Sequence, residues 1–160
     1  MAMAELPITL SGKTKLEAEL NQLVKVEREE LKISISEARE LGDLKENAEY
    51  HSAKEKQAIV EGRIAQLQGI LARSRVVEVS KIKSTKIVFG ATVTVIDIVK
   101  ELTITYKIVG EDESDSRENK ISFTSPLGKA LIGKEEGDTV IVKAPKGDVE
   151  FEIESFEFID

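Results

Sequence analysis

An α+β protein is expected, built as an N-terminal antiparallel helical coiled-coil hairpin followed by a C-terminal α+β domain with an antiparallel sheet. Two observations lead there. From Gly12 to about Arg75 the chain has no proline and is rich in Glu, Lys, Leu, Ala, Gln and Arg, side chains that lose little freedom in a helix. After Ser80 the sequence turns β-branched and alternates with period two, the mark of strands with one buried face. The change of period divides the 160 residues into a hairpin domain over 1–79, a linker over 80–85 and a second domain over 86–160.

The first helix is expected to start at Ser11 or Gly12, after an extended segment Leu6–Leu10. Its apolar positions, Leu16, Leu20, Leu23, Leu31, Ile35 and Ala38, fit one face, with Glu27 as an interruption. A second seam reads Ala53, Val60, Ile64, Leu67 and Leu71. Between them stands Leu41-Gly42-Asp43. Gly suits the left-handed position past a helix end. Asp43 suits the N-cap of the next helix, with Glu46 three residues later as its capping-box partner. Such a short connection makes the arms antiparallel. Each arm of about thirty residues would be roughly 45 Å long, with the tip near 41–47.

Strands are expected over Thr92–Ile96, Leu102–Val109, Lys120–Thr124, Thr139–Val142 and Val149–Ile153, and a short helix over Pro126–Ile132 with proline in its first turn. Gly110, Gly133, Gly137 and Gly147 mark turns. The acidic run Glu111-Asp112-Glu113-Ser114-Asp115 lacks the ligand spacing of an EF-hand and reads as a solvated loop.

Composition narrows the function. A net charge of −7 argues against coating DNA, which takes a dense basic surface. With no cysteine there are no disulfides or thiolate metal sites. No apolar run is long enough to span a bilayer, and Met1–Pro7 lacks the regions of a signal peptide. A cytoplasmic protein without membrane contact is expected.

The hairpin tip carries the chemistry worth weighing. Helix capping explains Asp43 and Glu46 without any partner. The same carboxylates also suit Mg²⁺, which is commonly held by one or two carboxylates, several waters and a substrate phosphate. Capping consumes only part of a carboxylate's acceptor capacity, so the readings are compatible. Arg39, Lys45 and Lys54 flank the turn. They suit solvated helix faces or, together, the guidance of a phosphate chain, with Arg39 best placed for bidentate contact. Tyr50 suits packing or stacking on a base. His51 is the only histidine, and no Ser/His/Asp arrangement can be argued for it.

The run from Arg39 to His51, Arg-Glu-Leu-Gly-Asp-Leu-Lys-Glu-Asn-Ala-Glu-Tyr-His, resembles the tip motif of the bacterial Gre transcript-cleavage factors, nearer the GreA than the GreB branch. Val88–Val95, Ile108–Gly110, Ser125–Gly128 and Leu131–Asp138 match further motifs of that family in the same order, so the resemblance covers nearly the whole chain. It implies an FKBP-like C-terminal domain that docks at the rim of the secondary channel of bacterial RNA polymerase. It implies a coiled coil that reaches down the channel to the 3′ end of backtracked RNA. On this resemblance Asp43 and Glu46 are the catalytic pair, holding Mg²⁺ jointly with the polymerase. Arg39 and Lys54 face the RNA, and Ser125 and Pro126 touch the polymerase. The protein itself is then not an enzyme but a monomer that stimulates the polymerase's own RNA cleavage.

Other classes make different demands. A prolyl isomerase needs an aromatic-lined apolar pocket, whereas Phe89, Tyr106, Phe123, Phe151, Phe156 and Phe158 mostly occupy strand positions that read as core. A polymerase-binding inhibitor of the same family would carry an altered tip, but Gly42, Asp43 and Glu46 keep the cleavage pattern. A coiled-coil chaperone would tolerate loss of the tip charges once capping is preserved.

Overall fold

A computed structural model describes residues 5–160. The first four residues, counted above in the hairpin domain, lie outside the described residues. The chain forms two compact units. One is the helical hairpin Lys13–Arg73, and the other joins the residues up to Gly12 to Ser74–Asp160. The sequence-drawn boundary at residue 79 therefore moves to Arg73, and the extended N-terminal segment belongs with the sheet-bearing unit.

The reason is a long-range pairing. Strand β1 (Leu6–Thr9) runs parallel to β2 (Ser74–Val77), with Leu6 opposite Ser74 and Thr9 opposite Val77. The expected linker is partly built in as well. Val79 is buried at the start of a 3₁₀ turn, Val79–Lys81. A Cβ at Gly90 would come within 2.9 Å of the Val79 side chain.

The first arm of the hairpin comprises α1 (Leu10–Gln22), a π turn (Leu23–Glu27) and α2 (Arg28–Arg39). The return arm is α3 (Ala48–Arg73). The π turn follows from the apolar spacing. Leu16 to Leu23 and Leu31 to Ala38 are seven-residue steps, but Leu23 to Leu31 is eight. A π turn takes up one surplus residue, so the seam stays on one face. Leu16, Leu23, Ile35 and Ala38 are buried on the first arm, and Ala53, Ile64, Leu67 and Ile70 on the second. Ile70, not Leu71, ends the second seam.

Two bidentate ion pairs flank the π turn. Arg63 donates to Glu19 at 2.7 and 2.9 Å. Arg28 donates to Glu61 at 2.7 and 2.8 Å. The hydrogen bonds from these arginines hold both carboxyls below their ordinary range. All four side chains are about a third or more exposed, so water screens them and each pair adds little to stability. Their geometric demand favours one register between the arms.

The second unit holds a five-stranded sheet in the order β5-β4-β3-β7-β6. Its strands are β3 (Thr92–Asp97), β4 (Leu102–Val109), β5 (Lys120–Ser122), β6 (Thr139–Ala144) and β7 (Gly147–Glu157). The sheet is mixed, not wholly antiparallel, because β5 pairs with β4 in parallel. The connection Gly110–Asn119 contains two 3₁₀ turns and brings the chain back alongside β4. Val93, Val95, Ile108, Phe151 and Ile153 share the core with Leu131 of α4 (Pro126–Leu131). Among the described residues no helix is long and apolar enough to cross a membrane.

One carboxylate of the acidic run is structural. Glu113 turns inward and accepts the Thr9 backbone N–H at 3.2 Å, the Gly110 N–H at 2.8 Å and the Thr9 hydroxyl. Thr9 is 1% exposed. The expectation of a solvated loop thus fails at Glu113, because the buried Thr9 N–H at the end of β1 and the Gly110 N–H need an acceptor. Gly110 has an ordinary negative φ. It is glycine because a Cβ would lie 2.7 Å from the Pro7 carbonyl oxygen. Replacing Glu113 by Ala leaves buried donors unsatisfied and is expected to cost about 3 kcal/mol, read as a lower urea midpoint at unchanged slope.

Asp160 accepts from Lys107 Nζ at 2.8 Å and from the Ser11 N–H at 3.1 Å. Burial pushes its carboxyl up, but the hydrogen bonds from Lys107 and Ser11 outweigh this and hold it below its ordinary value of 3.8. The folded state therefore binds this proton more weakly than the unfolded one. The stabilisation is in place above about pH 4 and is lost as pH falls through the lowered value. Asp160→Asn should flatten the acid limb of stability, measured as urea midpoints at pH 7 and pH 3.

Candidate functional site

The tip spans residues 40–47, between the end of α2 and the start of α3. This agrees with the tip expected near 41–47. Gly42 takes φ 128° with nothing within 4 Å of a built Cβ, a conformation that suits glycine. The expected capping box at Asp43 and Glu46 is absent. Asp43 Oδ1 instead accepts the Lys45 N–H at 3.0 Å, closing a local turn of the kind Asp side chains favour.

The cap of α3 is Asn47. Its Oδ1 accepts the Tyr50 N–H at 3.0 Å, and its Nδ2 donates to the Ala38 carbonyl on α2. One amide therefore serves an orphan donor of one helix and a terminal carbonyl of the other. The signal was present in the sequence, since Asn ranks with Asp as an N-cap. The choice between Asp43 and Asn47 depended on contacts with the opposite arm, which local pattern does not reveal.

With capping assigned to Asn47, the tip carboxylates are free for other work. Asp43 and Glu46 are both exposed. Asp43 commits one oxygen to Lys45, and Glu46 has no hydrogen bond or ion pair among the described residues. Oxygen donors of this charge and exposure suit a hard divalent cation. Among the described residues no three His, Cys, Asp or Glu side chains come together as a metal site, so Asp43 and Glu46 have no third ligand of this kind grouped with them.

The flanking residues fall into distinct groups. The Arg39 guanidinium lies 5.8 Å from the centre of the Tyr50 ring, within cation–π reach. Tyr50 meets His51 edge to face at 5.6 Å. His51 Nε2 lies 3.1 Å from the Lys45 carbonyl oxygen. Lys54 sits farther along α3 and donates to Gln57 at 3.0 Å. Arg39 thus joins the tip's aromatic pair, whereas Lys54 is engaged one turn away.

Ser125 and Pro126 lie in the other unit, at the start of α4. Ser125 Oγ accepts the Gly128 N–H at 3.0 Å and donates to the Ser122 carbonyl at 2.6 Å. Its hydroxyl both donates and accepts in shaping the turn. Pro126 is exposed at the first helical position. A Cβ on Gly128 would lie 2.3 Å from the Ser122 carbonyl oxygen, so the backbone passes too closely there for a side chain.

Comparison with known proteins gives a consistent result. The family described as transcription elongation factor, N-terminal, matches residues 6–76, and its counterpart described as transcription elongation factor, GreA/GreB, C-term, matches residues 82–158. The chain is 54% identical over 151 residues to the transcription elongation factor GreA of Hyphomonas neptunium, covering 94% of this chain and 96% of that protein. It is 49% identical over 158 residues to that of Anaeromyxobacter sp., covering 99% and 95%. Among solved structures, GreA factor homolog 1 of Thermus thermophilus is 27% identical, with a TM-score of 0.45 and 96% of this chain and 99% of that chain covered. Two successive family matches and near-complete coverage at about half identity make the chain a member of the GreA/GreB family of transcription elongation factors.

Proposed function

We propose that this protein binds bacterial RNA polymerase, inserts its helical hairpin into the secondary channel and stimulates the polymerase's intrinsic cleavage of backtracked RNA. One observation carries the reading. The tip presents two exposed carboxylates that helix capping does not consume, because Asn47 has taken that role. In this reading the protein is not itself an enzyme. It works as a monomer in the cytoplasm and supplies part of a site that the polymerase completes.

Asp43 and Glu46 are the residues that would hold Mg²⁺ jointly with the polymerase. When bound, the ion would stabilise charge on the attacking and leaving oxygens of an in-line displacement. The chain's own contribution is to bring two anionic oxygens to a defined point and to orient a water molecule by hydrogen bonding. Arg39 holds a fixed guanidinium beside the tip through Tyr50 and is suited to a phosphate of the extruded RNA. Lys54 adds positive charge on the other arm, farther along α3. In the second unit, Pro126 offers an exposed apolar contact for the polymerase rim. Ser125 serves that contact by fixing the turn that presents it.

The test is RNA cleavage in a stalled, backtracked bacterial elongation complex. Asp43→Asn keeps the Oδ1 acceptor for Lys45 and should fold normally. Loss of an outer-shell partner of a metal ligand costs about 10- to 100-fold, so loss of the ligand's charge should reduce cleavage stimulation by at least about 100-fold. Binding to polymerase should be unchanged. Short 3′ fragments at the wild-type rate with this variant would refute the role of the tip. Binding without any cleavage by the unmodified protein would point instead to an inhibitor.

A further inference from the structure

Beyond the two carboxylates, we infer that Asn47 and His51 are positioning residues that clamp the backbone on either side of Glu46 and so present its carboxylate. The inference rests on the cleavage role proposed above for Glu46. Residue 45 is held at both of its peptide groups. Its N–H goes to Asp43 Oδ1 at 3.0 Å, and its carbonyl faces His51 Nε2 at 3.1 Å. Residue 47 is held through its side chain to both arms, to the Ala38 carbonyl of α2 and the Tyr50 N–H of α3. Its own carbonyl accepts the His51 N–H at 3.1 Å. Glu46 lies between these two fixed residues, and its carboxylate has no bond among the described residues. The arrangement holds the backbone and leaves the functional group free.

His51 suits this task for two further reasons. Its Nε2 donates to a carbonyl both as the neutral Nε2–H tautomer and as the imidazolium, so the clamp does not require a change of charge. Its ring is braced by Tyr50, which is itself covered by Arg39. A simple cap of α3 would need only the bond from Tyr50 to Asn47. The additional bond from Asn47 to Ala38 crosses to the other arm and sets the tip relative to both helices.

The experiment uses the full chain and two readouts. Backbone order parameters and amide exchange at residues 44–47 and Tyr50 are measured on the protein by NMR. The Mg²⁺ concentration for half-maximal cleavage is measured on backtracked complexes at saturating protein. Asn47→Ala and His51→Phe should lower the order parameters of residues 44–47 from about 0.85 toward 0.6. They should raise the Mg²⁺ requirement about tenfold without changing helix content or polymerase binding. Asn47→Ser keeps an acceptor for Tyr50, but its shorter side chain does not reach the Ala38 carbonyl as the Asn47 amide does. It should restore Tyr50 protection while leaving the Mg²⁺ requirement raised. A rigid tip in Asn47→Ala, or a disordered tip with wild-type Mg²⁺ dependence, overturns the inference. Cleavage that depends on Asp43 but not on Asn47 or His51 also overturns it and leaves the proposed function standing. Cleavage indifferent to Asp43→Asn removes the function instead, and the order parameters then decide the clamp.

Discussion

An apolar seam has to stay on one face of a helix through the whole length of the first arm, and the eight-residue step from Leu23 to Leu31 would carry it off that face. One surplus residue in a regular α-helix rotates everything beyond it by about 100°. The π turn at Leu23–Glu27 absorbs that residue, so Ile35 and Ala38 are buried along with Leu16 and Leu23. The tip depends on this correction. Ala38 must reach α3 for its carbonyl to meet Asn47, and that contact helps fix the loop that carries Asp43 and Glu46.

The hairpin also shows which interactions stabilise and which specify. Full burial of a Leu or Ile contributes about 1.5–3 kcal/mol, and each arm buries four apolar side chains. The Arg63–Glu19 and Arg28–Glu61 pairs are exposed enough to add little. They are bidentate, however, and a register slip would break both. The seam holds the arms together, and the ion pairs favour one alignment of it.

Polar satisfaction does comparable work in the sheet-bearing unit. Glu113 gathers donors from Thr9 and Gly110, and Asp160 gathers donors from Ser11 and Lys107. These contacts tie both ends of the chain's described part to the sheet. The close approaches at Gly110 and Gly128 show the same economy, since the backbone at each passes where a side chain would clash. At the hairpin tip the logic is reversed. Neighbouring groups are satisfied while the Glu46 carboxylate has no bond among the described residues.

Local pattern determined much of this protein. The helical and strand periods are properties of short windows, so the two arms, all five strands of the main sheet and the helix at Pro126 were legible in the sequence. Gly42 was legible because a positive φ favours glycine, and the ordered motifs pointed to the family. Tertiary structure decided the rest. Strand β2 consists of four residues that become a strand only by pairing with Leu6–Thr9, far away in sequence. The parallel pairing of β5, the inward turn of Glu113 and the burial of Ile70 likewise depend on partners outside any local window. The transfer of capping from Asp43 to Asn47 has the same origin. Both residues satisfy the rules for a helix start, and only Asn47 also finds the Ala38 carbonyl on the opposite arm, a choice made by packing because an amide can donate and accept at once.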